Sequence, residues 1–78
     1  MQKSRYTKRY QALLRALREA RKAAGLTQLQ VARKFGSHPS FVCKCETGER
    51  RVDAVELSEF CRLYGVSLAE LAKRAGLD

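Results

Sequence analysis

The sequence predicts an all-α fold of five compactly packed helices. Apolar residues recur at three- and four-residue steps, the periodicity of one buried helical face. Three segments begin with Thr27, Asp53 or Ser67, each followed three residues later by Gln or Glu, which is the pattern of a capping box. Glycines follow the apolar runs where helices commonly end. Because no useful stretch alternates apolar and polar residues, no β-strand is predicted.

The first helix is expected from about Thr7 to Ala24, with Gly25 ending it. Its apolar residues form one stripe at helical spacing and are expected to be buried. They are Tyr10, Leu13, Leu14, Leu17, Ala20 and Ala24. Residues 1–6 are expected to be a disordered basic tail, and residues 7–78 a single domain.

The second and third helices surround a glycine turn. The second opens at Thr27 with Gln30 as its box partner, and it ends at Gly36. Pro39 suits the first turn of a third helix over about residues 39–47, whose apolar seam is Val42 and Cys45. The outward positions of that helix carry small or basic residues, namely Ser40, Cys43, Lys44 and Thr47. A rigid helix with such a face can enter the major groove of DNA.

The fourth and fifth helices follow the same pattern of start and stop signals. The fourth runs from the Asp53–Glu56 capping box to Gly65, and the fifth from a Ser67–Glu70 box to Gly76. The fourth helix carries the apolar residues Val55, Leu57, Phe60, Cys61 and Tyr64. The fifth is expected to bury Leu68, Leu71, Ala72 and Ala75.

Charge is unevenly distributed along the 78 residues. The net charge is +8, and residues 1–22 carry eight Lys or Arg against Glu19 alone, which gives +7. A basic segment of this kind favours a polyanionic partner and predicts binding that weakens with salt, although a solvated basic helix is the alternative. No apolar run reaches the roughly 20 residues of a membrane span, and no signal-peptide core is present. The odd count of three cysteines fits a reducing cytoplasm, so we expect a cytoplasmic protein.

Metal binding and catalysis find little support in the sequence. Cys43 and Cys45 lie two positions apart, about 200° around a helix, so they cannot hold one ion together. We expect Cys45 in the core near Cys61, while Cys43 faces outward, where a redox role is the alternative. His38 is expected to cap a helix or to lie near a phosphate. Without a nucleophile–base–acid set or a phosphate loop, we predict no enzyme activity and no cofactor.

Residues 28–47 resemble the helix-turn-helix of the phage repressor/Cro-like (XRE-type) DNA-binding proteins. That family places a small residue fifth, glycine ninth and a β-branched residue fifteenth, and here these are Ala32, Gly36 and Val42. The flanking Gly25–Gln28 and Glu46–Arg50 fit without a gap, and the resemblance covers about residues 10–71. It implies a compact five-helix repressor-like DNA-binding domain.

The resemblance also implies roles for individual residues. Gln28 matches a residue that contacts phosphate, Ser40 and Lys44 lie on the base-reading face, and Arg21 and Glu46 match a pair that ties the first helix to the third. Thr47 and Arg50 lie where the loop meets the DNA backbone. Three residues depart from the family pattern, namely Ser37, Val52 and Leu29. The resemblance therefore does not predict which bases are read. The complete predicted DNA-binding set is Gln28, His38, Pro39, Ser40, Cys43, Lys44, Thr47, Arg50 and Arg51.

These observations predict a sequence-specific, double-stranded DNA-binding regulator that represses transcription as a homodimer. A single recognition helix reads few base pairs, so two are needed. The fifth helix is expected to form the dimer surface through Leu68, Leu71 and Leu77. One alternative is a protein-interaction module, such as an antitoxin or accessory subunit, which would contact its partner through the first helix and Leu29. Another is nonspecific nucleic-acid binding. No metal, small-molecule ligand or membrane partner is expected.

Overall fold

A computed structural model describes residues 7–77, which fold into five α-helices without a strand in that range. The tail predicted at residues 1–6 lies outside the described residues, as does residue 78. In chain order the helices are α1 (Lys8–Ala23), α2 (Gln28–Phe35), α3 (Pro39–Thr47), α4 (Ala54–Tyr64) and α5 (Leu68–Arg74). The predicted all-α class and the order of the five helices are therefore confirmed.

The helices begin where the capping residues predict. The side chains of Thr27 and Asp53 each accept a hydrogen bond from the backbone amide three residues ahead. The side chains of Gln30 and Glu56 in turn accept from the amides of Thr27 and Asp53, which completes both capping boxes. The expected box at Ser67 is only half formed. Its hydroxyl accepts from the amide of Glu70, but the Glu70 carboxylate instead pairs with Arg74 one turn later, at 3.0 Å.

α1 is the central element of the packing. It contacts α3, α4 and α5, while α2 packs on α3 and α4 packs on α5. All five helices contribute large side chains that are less than 2% exposed, so the helices share one core. These side chains are Phe60, Leu17, Leu71, Val31, Val42 and Cys45. Within residues 7–77, no helix is both long and apolar enough to cross a lipid bilayer.

The predicted burial of Ala24 and Leu68 and the predicted dimer contact of Leu71 are wrong, and Val55 lies outside the core. Ala24 is exposed because it is the C-cap, beyond the last turn of α1. Val55 is 71% exposed because it precedes the buried Phe60 by five residues, which turns it about 140° away around the helix. Leu68, the first residue of α5, is 44% exposed. Leu71 is fully buried, so it belongs to the core and not to a dimer surface.

Candidate nucleic-acid interface

The turn between α2 and α3 is set by Gly36 and His38. Gly36 adopts φ +69°, a left-handed conformation that disfavours residues with a Cβ, and the Ser37 amide then donates to the Ala32 carbonyl at 2.8 Å. His38 caps α3, its Nδ1 accepting from the Ser40 amide at 3.1 Å. Pro39 follows as the first helical residue, where its missing N–H costs nothing. The sequence prediction of a histidine cap is thus matched by the geometry.

One face of α3 is fixed in the core. Val42 and Cys45 are completely buried. The Phe41 ring packs at the edge of this contact, 5.7 Å from the ring centre of Phe35 and 6.2 Å from that of Phe60. Phe41 is therefore a packing residue, and α3 has a single orientation relative to the rest of the domain.

The opposite face of α3 is open to solvent. Its exposed residues recur at steps of three, four and seven along the helix, so they line one side. They are Ser40, Cys43, Lys44 and Thr47. The Thr47 hydroxyl donates to the Lys44 carbonyl at 3.2 Å, which ties it to the last turn of the helix. The structure brings these four predicted residues together on one continuous surface.

The C-terminal end of α3 is anchored by a buried carboxylate. Arg21 Nε donates to Glu46 Oε2 at 2.6 Å, and a second guanidinium nitrogen reaches Oε1 at 3.2 Å. The side-chain amide of Gln28 donates to the same Oε1 at 2.9 Å. The pair implied by the family resemblance is therefore present. The side chain of Gln28 is turned toward Glu46, and its predicted phosphate contact would have to be made alongside that bond.

The loop after α3 holds Arg50 and Arg51 in different ways. Arg50 makes a two-pronged ion pair with Glu56, both nitrogen–oxygen distances being 2.9 Å, and its guanidinium lies 4.9 Å from the centre of the Phe41 ring. The pair lowers the pKa of Glu56 and raises that of Arg50. A phosphate bound by Arg50 would therefore contact a guanidinium group that is also paired with Glu56.

Arg51 is supported by the first helix. Its guanidinium lies 4.8 Å from the centre of the Tyr10 ring, an arrangement in which the ring face attracts the cation. The Tyr10 hydroxyl accepts a hydrogen bond from the Val52 amide at 3.1 Å, which holds the loop against α1. Sequence reasoning placed Tyr10 only in the apolar stripe and Glu56 only in a cap. The separation of 42 residues between Tyr10 and Val52 gave no local signal.

The three thiols occupy different environments. Cys43 is exposed on α3, whereas Cys45 and Cys61 are buried in the shared core. Burial raises the pKa of both core thiols, although the nearby Arg50 opposes the rise at Cys45. Cys43 and Cys45 thus lie on opposite sides of α3. Within residues 7–77, no three His, Cys, Asp or Glu side chains form a group suited to a metal ion.

Comparison with known proteins agrees with this geometry. A family model described as a helix-turn-helix domain matches residues 12–76. A solved structure, an XRE-family like protein from Pseudomonas syringae pv. tomato str. DC3000, is 47% identical to this chain with a TM-score of 0.80, covering 87% of this chain and 83% of that one. The chain belongs to the XRE-type helix-turn-helix family. No curated protein matches it. As an XRE-type protein, it is a DNA-binding regulator.

Proposed function

We propose that this XRE-type protein is a sequence-specific repressor that binds double-stranded DNA as a homodimer, with α3 as its recognition helix. The observation that carries this proposal is the division of α3 into a fixed face and an open face. Val42 and Cys45 are fully buried, while Ser40 and Lys44 are exposed. A helix held in this way can enter the major groove without a change in its backbone or its orientation, so binding has to order only the exposed side chains.

Lys44 is the proposed base-reading residue. Its side chain is exposed and forms no ion pair within residues 7–77, so its charge is available to guanine O6 or N7. Ser40 and Cys43 would lie against neighbouring base edges. His38 and Pro39 set where α3 begins, and we propose that they lie beside the DNA backbone at that end.

The remaining residues of the proposed interface would position the protein without reading sequence. Gln28 begins α2, where backbone amides point out of the helix N-terminus and suit a phosphate. Thr47, Arg50 and Arg51 lie at the other end of α3 and in the loop that follows it. Backbone contacts at both ends would fix the register of α3 in the groove.

Two copies would be needed for useful specificity, since one α3 spans only a few base pairs. Leu68 is 44% exposed and offers apolar surface on α5, and Leu77 is partly exposed beyond it. Repression would follow from occupancy of a promoter by the dimer.

A second candidate function is that of an antitoxin or accessory subunit. The observation that favours it is the 44% exposure of Leu29. Leu29 lies on α2, whereas the residues proposed for dimerisation lie on α5 and beyond it. An apolar residue of this kind suits a protein partner, although single exposed leucines are common. A protein that co-purifies in equal amount would favour this function.

Selection from a random duplex library at about 150 mM salt tests the main proposal. We expect an enriched palindrome whose half-sites lie about one helical turn, roughly 34 Å, apart. If no sequence is enriched and binding only fades as salt rises, phosphate attraction alone is at work and the repressor proposal fails.

A further inference from the structure

An open cleft lies between α1 and the C-terminal end of α3. α1 and α3 both contribute to its lining, which consists of Gln11, Leu14, Arg15, Arg18, Glu46 and Thr47. Its volume is about 220 Å³, and because a water occupies about 30 Å³, the cleft has room for an anionic group with part of its hydration.

The α1 side of this cleft is basic. Arg15 and Arg18 lie three residues apart and Lys22 follows four residues later, so the three share one face of the helix. None of them belongs to an ion pair within residues 7–77. Glu19 is the only acidic residue of α1, and it does not pair with Arg15 although the spacing would allow it. We call Arg15, Arg18 and Lys22 the α1 basic stripe.

The carboxylate in the wall of the cleft is already satisfied. Glu46 Oε2 accepts from Arg21, and Oε1 accepts from both Arg21 and Gln28. Because the charge of Glu46 is balanced by Arg21, the charges of Arg15 and Arg18 dominate the open part of the cleft. The cleft therefore attracts an anion.

Thr47 connects the cleft to the recognition helix. It lines the cleft and also ends the exposed face of α3 that carries Lys44. A duplex whose major groove holds α3 must place one of its sugar–phosphate backbones beside the end of that helix. Because Thr47, Arg15 and Arg18 line the same cleft, a backbone that reaches Thr47 would lie beside both arginines.

We propose that this cleft binds the DNA backbone, with Arg15 and Arg18 as phosphate ligands and the Thr47 hydroxyl at its edge. The planar guanidinium group matches phosphate geometry and can donate two parallel hydrogen bonds. This inference rests on the proposed function and extends it. It adds a DNA-backbone contact made by α1 to the backbone contacts proposed at the start of α2 and in the loop after α3.

The test measures the affinity of the full chain for two duplexes, its selected operator and a scrambled sequence, as salt is varied. The variant is R15Q/R18Q, since glutamine favours helix about as well as arginine, Arg15 is exposed and Arg18 is half-buried. The control is R62Q/K73Q, which removes the same charge from exposed residues of α4 and α5 that do not line the cleft. R15K/R18K keeps the charge, and the thermal unfolding midpoint verifies that all variants are folded.

We expect R15Q/R18Q to weaken binding to both duplexes by the same factor. The slope of log affinity against log salt should become shallower by about 0.9 for each phosphate released. Between about 50 and 200 mM salt, that amounts to a roughly 3- to 4-fold smaller loss of affinity per phosphate. R62Q/K73Q should retain the native slope, and R15K/R18K should retain most of it.

Three results would overturn the inference. If R15Q/R18Q has the same slope as R62Q/K73Q while the native chain still selects its operator, the cleft does not bind phosphate and the proposed function survives. If R15Q/R18Q weakens only operator binding, the two arginines read bases instead. If the native chain binds neither duplex, the proposed function fails together with the cleft, and an acidic protein surface becomes the candidate occupant.

Discussion

Arg21 and Glu46 form a buried ion pair that joins the first helix to the end of the recognition helix. The shortest distance is 2.6 Å, and the two side chains are only 10% and 3% exposed. Arg21 also donates to the Leu26 carbonyl at 2.9 Å, which extends the same network to the turn before α2. One carboxylate thereby sets the relative positions of α1, α2 and α3.

Removing that carboxylate should be costly. We expect Glu46→Ala to lower the free energy of unfolding by about 3–5 kcal/mol, because Arg21 would be left as a buried charge without a counter-charge. Glu46→Gln keeps an acceptor for Arg21 and should cost less. Urea unfolding followed by circular dichroism measures both. A loss below about 1 kcal/mol for Glu46→Ala would mean that the pair behaves as an exposed one.

Lys44 should carry sequence preference. Lys44→Ala is expected to reduce discrimination against one changed base pair by about 1–3 kcal/mol, roughly 5- to 150-fold. Competition binding with the selected operator and its single-base variants measures this effect. Arg51→Ala is the comparison, and as a proposed backbone contact it should weaken all sequences alike. Equal weakening of every sequence by Lys44→Ala would remove Lys44 from the base-reading role.

The pair between Arg50 and Glu56 should be visible in the titration of Glu56. In Arg50→Ala, the pKa of Glu56 is expected to rise toward its ordinary value of 4.5, since the guanidinium that lowers it is gone. Arg51→Ala is a close control, because Arg51 forms no ion pair within residues 7–77. Carboxyl chemical shifts followed by NMR against pH give the value directly. An unchanged pKa in Arg50→Ala would show that the pair does not form in solution.

The same pair predicts how stability depends on pH. The pKa of Glu56 is lower in the folded protein than in the unfolded chain, so the contribution of the pair is complete above the unfolded value near 4.5. The contribution of the pair to stability is lost as the pH falls through the lower pKa that Glu56 has in the folded protein. Native protein should therefore lose more stability than Arg50→Ala between neutral and acidic pH, by a small amount because the pair is partly exposed.

Gly48 should tolerate a side chain less well than Gly36. Both are left-handed, at φ +88° and +69°, so alanine is expected to cost roughly 1–2 kcal/mol of strain at either position. At Gly48 a new Cβ would also lie 3.2 Å from Leu14 Cδ1, whereas nothing lies within 4 Å at Gly36. Thermal unfolding of Gly48→Ala and Gly36→Ala should show the larger loss for Gly48. Equal losses would mean that Leu14 moves aside freely.

Leu68 tests the proposed homodimer. We expect Leu68→Ser to weaken self-association by at least roughly tenfold, because a two-fold interface loses the residue from both copies. Leu29→Ser is the matched control, since Leu29 is equally exposed at 44% but lies on α2. Sedimentation velocity over a range of concentrations measures the association. If Leu29→Ser is the variant that dissociates the dimer, α2 forms the interface instead of α5.

Local chemistry in the sequence determined the helices and the turn at the candidate site. Thr27 and Asp53 could be recognised as caps because their partners lie three residues away, and Gly36 because it follows an apolar run directly. The resemblance to XRE-type proteins added the register of the helix-turn-helix, and with it the exposed face of α3. These features depend on residues that are neighbours in the chain.

Only the tertiary structure decided which of these residues are engaged and which are available. Whether Val55 or Leu68 is buried depends on which face of each helix is covered by its neighbours, and the inward turn of Gln28 depends on Glu46, which lies 18 residues later. The cleft beside Arg15 and Arg18 exists because α1 packs against the end of α3. Hydrogen bonds and burial between distant segments follow from the packing of whole helices, and no local pattern of residues encodes them.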